Sequence, residues 1–192
     1  MKLVEYLLNK KANIETRTKD GRTLLHSAAR GGHLKIVKYL IEKTKTNIEA
    51  KTNGEHISVL HLAAKGGNLE IVEYLINKGA NIESKTNSGF TPLYSAVISS
   101  NLHIIDYLIE QGANVKAKLY DSNLDDWTIL HTAAKSCSLK ILEYLVKKYP
   151  EITVKTKDGR TLLHSAARGG NLENVKYLVN KGIDIKAKTK NW

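Results

Sequence analysis

Apolar residues recur along the chain in short blocks with helical spacing. In "HLKIVKYLIEK", Leu34, Val37, Leu40 and Ile41 line one stripe of a helix whose remaining surface is Lys and Glu. Just upstream, "TLLHSAAR" places Leu24, Leu25, Ala28 and Ala29 on one side of a two-turn helix. Thr23 is suited to cap that helix, because its hydroxyl accepts from an otherwise orphan backbone N–H. The glycines of "RGGH" end the first helix, since glycine adopts the left-handed conformation found there. After the second helix the pattern gives way to short extended arms and turns such as "ANIESKTNSG". The predicted unit is therefore a short helix, a tight turn, an amphipathic helix and an extended arm.

That unit repeats. Tyr6, Tyr39, Tyr74, Tyr107, Tyr144 and Tyr177 are spaced 33, 35, 33, 37 and 33 residues apart, each followed by a leucine. A second marker, His26, His61, Tyr94, His131 and His164, precedes an alanine by two residues in every unit. The stretch "TKDGRTLLHSAARGG" occurs unchanged at residues 18–32 and 156–170, as the first and fifth members of the series. Self-similarity at such a period marks a stacked array in which each unit buries its apolar face on the next.

The pattern resembles the ankyrin repeat, a turn plus two helices carrying T-P-L-H-x-A. "FTPLYSA" (90–96) keeps Thr-Pro-Leu, and "SVLHLAA", "TILHTAA" and both copies of "TLLHSAA" keep His-x-Ala. The resemblance implies an all-α solenoid of helix-turn-helix units with short β-hairpin turns. It is read as one domain over residues 1–192, with a partial unit at 1–17 and full units at 18–52, 53–86, 87–118, 119–155 and 156–192. Two extra residues are expected around "NGEHIS" and four in "LYDSNLDDW", and Asp126 and Cys137 stand where glycine is usual. Neither chain end reads as a dedicated polar cap, so either a fragment of a longer protein or an array minimally closed at its ends is expected, as a monomer or weakly self-associating through the uncapped ends.

Composition narrows the classes further. With 42% hydrophobic and 26% charged residues and only two prolines, the chain reads as globular. No apolar run approaches the roughly 20 residues of a membrane span. The single cysteine, Cys137, fits a reducing, cytoplasmic compartment. No metal site is expected from the histidines, because one per unit spaces them too widely to share an ion. The resemblance implies instead that each ring bonds the helix-start turn. Cys137 has no base that the sequence places beside it, and the glycine pairs lack the G-x-x-x-x-G-K-[ST] arrangement of a phosphate loop. No catalytic, cofactor or metal residue is assigned, and the chain is read as a non-enzyme.

If shared positions build the stack, partner recognition falls to the positions that vary. The residue before each helix cap reads Arg22, Ile57, Phe90, Trp127, Arg160, and the residue after the alanine pair reads Arg30, Lys65, Ile98, Lys135, Arg168. Both series are basic at the ends and apolar toward the middle. The resemblance places them on a concave surface, and aromatic and arginine side chains often anchor interfaces. The expected function is recognition of a protein or peptide of acidic character, with Phe90, Ile98 and Trp127 as desolvated anchors and flanking cations steering approach. The net charge of +11 keeps two alternatives open: a surface for nucleic acid or anionic membrane, and the targeting arm of a larger enzyme. The basic residues are spread over every unit among glutamates, which disfavours nucleic acid.

Overall fold

The computed structural model describes residues 14, 16–119, 126–136 and 138–190. Residues 1–13, most of the partial first unit, residues 120–125 in the lengthened turn of the fourth unit, and Cys137 lie outside the described residues. Among the described residues the chain forms ten helices in five consecutive pairs. These are α1 (Leu24–Arg30) and α2 (Leu34–Thr44), α3 (Val59–Gly66) and α4 (Leu69–Asn77), and α5 (Pro92–Ile98) and α6 (Leu102–Glu110). Next come α7 (Ile129–Ser136) and α8 (Leu139–Lys148), then α9 (Leu162–Gly169) and α10 (Leu172–Asn180). One antiparallel bridge, Lys51 with Ser58, is the extended pairing found between the pairs.

The first helices α1, α3, α5, α7 and α9 stack as an inner layer and the second helices as an outer one. The alanine pairs set the inner spacing. Ala29, Ala63, Ala64, Ala96, Ala133 and Ala134 are fully buried, and a methyl is all that fits between adjacent backbones. Gly66 and Gly169 carry this further: a Cβ there would overlap the backbone carbonyls of Arg30 and Lys135. The glycine pairs are thus packing and turn devices, the second member taking positive φ at Gly32, Gly67 and Gly170.

The recurring histidine latches one unit to the next. In α1, the Thr23 N–H (3.2 Å) and hydroxyl (2.9 Å) both donate to His26 Nδ1. Nε2 therefore carries the proton and donates to the Ile57 carbonyl at 3.2 Å, in the following unit. His61 repeats this with Ser58 and the Phe90 carbonyl (2.8 Å), and His131 with Thr128 and the Arg160 carbonyl (3.4 Å). Tyr94 replaces histidine in α5 and reaches the same place, its hydroxyl lying 2.9 Å from the Trp127 carbonyl and 3.1 Å from that of Ala117. Without a histidine, Thr91 Oγ1 is buried with no hydrogen-bond partner.

The tyrosine marker has its own role on the outer layer, where Tyr74 and Tyr144 tie a second helix to the one before. Tyr74 donates to Glu42 at 3.0 Å with the Lys38 and Lys78 ammonium groups each 5.5 Å from its ring centre. Tyr144 donates to Asp106, which also pairs with Lys148 at 2.9 Å. In α10 a buried asparagine, Asn174, stands where Ile36, Ile71, Ile104 and Ile141 pack in the other pairs. Its amide donates to the Ala134 carbonyl at 3.0 Å, at the end of α7.

The inserted residues are distributed differently from expectation. The turns close between Thr18 and Arg22, Thr86 and Phe90, and Thr156 and Arg160, but between Thr52 and Ile57 in the second unit. Only one extra residue sits in that turn. The other lengthens α2 to 11 residues and is absorbed by Lys45 in a left-handed cap, φ 54°. In the fourth unit Leu119 N–H reaches the Trp127 carbonyl across the insertion. Asp126 adopts φ 64°, taking the backbone conformation of Gly21, Gly89 and Gly159.

Candidate protein-binding surface

The residues before the caps occupy the last position of each turn, and those after the alanine pairs occupy the ends of the first helices. The latch connects them to the fold: the carbonyls of Ile57, Phe90, Trp127 and Arg160 are the ones held by the preceding His or Tyr. Backbone anchoring at these positions does not depend on the side chain, so its identity can vary from unit to unit. The two series therefore lie side by side along the face shared by turns and first helices.

A cleft of about 180 Å³ opens on this face across the first three pairs. It brings together six of the ten candidate residues: Arg22, Arg30, Ile57, Lys65, Phe90 and Ile98. Ile98 is 45% exposed, and among the described residues the other large hydrophobics of comparable exposure, Leu172, Val179 and Ile185, all belong to the fifth unit. Phe90 is half-buried and packs edge-on against Tyr94, ring centres 5.5 Å apart. Leu62, Ser95 and Glu55 also line the cleft. The sequence signalled Leu62 and Ser95 by variation at the residue after the latch (Ser27, Leu62, Ser95, Thr132, Ser165), a series not singled out beforehand. Lys135, Arg160 and Arg168 lie beyond the cleft, on the fourth and fifth units.

Trp127 corrects the expectation of a central exposed anchor. Its side chain is only 3% exposed. The indole lies against His131 with ring centres 5.2 Å apart, and Nε1 donates to Thr132 Oγ1 at 2.9 Å. Its apolar area and its polar atom are both satisfied inside the fold, so the aromatic is a core residue of the fourth unit.

The cations fall into two groups. Arg22 and Arg160 each meet an aspartate two residues upstream, Asp20 and Asp158, with Nε to Oδ2 distances of 2.9 Å. Hydrogen bonds from Thr18 and Thr156, and then the arginine charges, hold both carboxyls below the usual carboxylate range. Those turn-tip arginines thus present little net charge, contrary to the steering role expected of them. By contrast, Arg30, Lys65, Lys135 and Arg168 form no ion pair or side-chain hydrogen bond among the described residues. Among the candidate residues, the unpaired charge lies on the helix ends.

Burial lowers the basicity of the latch histidines. His61 and His131 are pushed down to about 4, the carbonyl bond opposing the shift in each, and His26 moves the same way. They are neutral structural groups at physiological pH. Among the described residues no three His, Cys, Asp or Glu side chains gather as a metal site would require. No helix among them is long and apolar enough to cross a membrane.

Comparison with known proteins agrees with this architecture. Family models described as "Ankyrin repeats (3 copies)" match residues 44–119 and 116–189, and "Ankyrin repeats (many copies)" matches residues 1–41. The chain belongs to the ankyrin repeat family, whose arrays are protein–protein interaction modules. A chain in the structure of the predatory endopeptidase Bd0816 from Bdellovibrio bacteriovorus in complex with immunity protein Bd3460 superposes with a TM-score of 0.73 at 33% identity. The match covers 92% of this chain and 88% of that one. No curated protein sequence matches.

Proposed function

We propose that this chain is a non-enzymatic module that binds a partner protein on the concave face of the stack, at the cleft spanning the first three pairs. One observation carries the reading: the exposed Ile98 borders a cleft whose rim holds the unpaired cations Arg30 and Lys65. An exposed apolar patch rimmed by charge is a feature of interaction sites, and the cations favour a partner of acidic character. The solved relative is itself a complex of two proteins, which supports a partner of the same kind. Affinity capture from cell lysate tests the reading, using the wild type beside a Lys65→Glu, Ile98→Asp variant. A partner held by the first and lost by the second, with helical content unchanged by circular dichroism, is expected. Equal retention by both would place the binding surface elsewhere.

A polyanion reading draws on the same cations, and a salt titration separates the two. Binding through phosphates falls log-linearly with salt, with a slope set by the number of contacts. Binding centred on Ile98 and Phe90 keeps most of its strength.

A further inference from the structure

The helix-end positions form a series of one side chain per unit: Arg30, Lys65, Ile98, Lys135, Arg168. Four are cations without a partner in the described structure, and the row is interrupted once, by an apolar side chain 45% exposed at the cleft. The parallel turn-tip row does not carry this pattern outward, since Arg22 and Arg160 are neutralised by Asp20 and Asp158 and Trp127 is buried. Charge and hydrophobicity offered to a partner are thus ordered along a line, as two cations, one apolar site and two cations.

We propose that this row reads an extended acidic segment of a partner protein in fixed register, with acidic residues opposite the first, second, fourth and fifth units and one apolar residue seated at Ile98. The proposal rests on the protein-binding reading above and specifies what the partner carries. Its spacing follows from geometry. Neighbouring packed helices are separated by roughly 8–10 Å. A polyproline II segment rises about 3.1 Å per residue with three residues per turn, so every third side chain returns to one face after about 9 Å. The recognised pattern is therefore acidic at positions 1, 4, 10 and 13 and apolar at position 7. A chain terminus is a poorer occupant, because it supplies one carboxylate where the row offers four cations.

The test uses the full chain and defined peptides, acetylated and amidated to remove terminal charge. The probe is Asp-Pro-Pro-Asp-Pro-Pro-Leu-Pro-Pro-Asp-Pro-Pro-Asp. Its control has the same composition with the aspartates paired at the two ends, Asp-Asp-Pro-Pro-Pro-Pro-Leu-Pro-Pro-Pro-Pro-Asp-Asp. Fluorescence anisotropy should show the probe binding at least about tenfold more tightly than the control, a difference of 1.4 kcal/mol. Ile98→Lys and Lys65→Glu should each abolish that preference, and Lys140→Ala, at an exposed position on the outer layer, should change it less than twofold. Equal binding of probe and control, or no binding of either, overturns the register. Tighter binding of a 13-nucleotide thymidine strand than of the probe also overturns it, in favour of a polyanion surface. The two failures are separable: a captured partner lost on Lys65→Glu, Ile98→Asp keeps the protein-binding reading even if the register falls, whereas a retained partner ends both.

Discussion

Lowering the pH from 7 to 5 should destabilise this protein well before its carboxylates titrate. The perturbation acts on His61 and His131, whose Nδ1 accepts from a capping residue while Nε2–H donates to the next unit. A proton added at Nδ1 would face two donors and bring a charge into the stack. Each folded pKa lies near 4, below the ordinary 6.5 of the unfolded chain. The unfolded state therefore binds more protons between those values, and stability that is complete above pH 6.5 is lost as pH falls toward 4. Between pH 7 and pH 5 each histidine costs about 2 kcal/mol, so the pair removes about 4 kcal/mol. His26 adds a loss of the same sign. Asp20, Asp106 and Asp158 titrate below their ordinary 3.8 and contribute outside this window. The assay is urea unfolding followed by circular dichroism at pH 7, 6 and 5 in constant salt. A loss near 4 kcal/mol is large against a typical total of about 5–15 kcal/mol. The double variant His61→Gln, His131→Gln keeps a donor at each latch without the titration and should flatten most of the slope. Stability at pH 5 within 1 kcal/mol of that at pH 7, or an unchanged slope in the double variant, would refute the reasoning.

Further expectations concern single sites. Gly169→Ala should destabilise by roughly 1–3 kcal/mol, against the usual gain for this change in a helix, because the new methyl meets the Lys135 carbonyl; the urea midpoint reports it. Thr91→Val should be neutral or stabilising, since its buried hydroxyl has no partner, whereas Thr128→Val should cost about 1 kcal/mol by breaking a bond to His131. Trp127→Ala should cost roughly 3–5 kcal/mol in thermal unfolding, as a core truncation, and leave the probe peptide's affinity unchanged where the fold persists. Asp126→Gly should stabilise by about 1 kcal/mol, relieving a left-handed backbone in a non-glycine residue, less whatever its ion pair with Lys118 supplies.

Much of this was legible in the residues because the fold is local. Capping threonines, paired alanines and apolar stripes act within one unit or between neighbours, and repetition displays each rule five times. The candidate site was legible as positions but less so as chemistry. Trp127 occupies a place where Phe90 stays half-exposed, and its burial comes with contacts to His131 and Thr132 that its position in the series does not announce. The pairing of Arg22 with Asp20 was within reach, since the two are separated by one residue in both copies of "TKDGRT". The location of the second unit's extra residues depended on which backbone could take a left-handed turn, and Lys45 gives no compositional hint of that.

Tyr94, the one substitution in the latch series, bears on how the array comes apart. A phenol raised by burial above its ordinary range has no charge to gain in acid, so the latch from the third unit to the Trp127 carbonyl holds while the histidine latches loosen. Arrays of this kind lose structure interface by interface. On acidification the Tyr94 latch between α5 and α7 should persist after the latches of His26, His61 and His131 have begun to open, and amide hydrogen exchange should report that order. The array then has one joint, between the third and fourth units, whose latch acid does not titrate, although α7 itself carries His131.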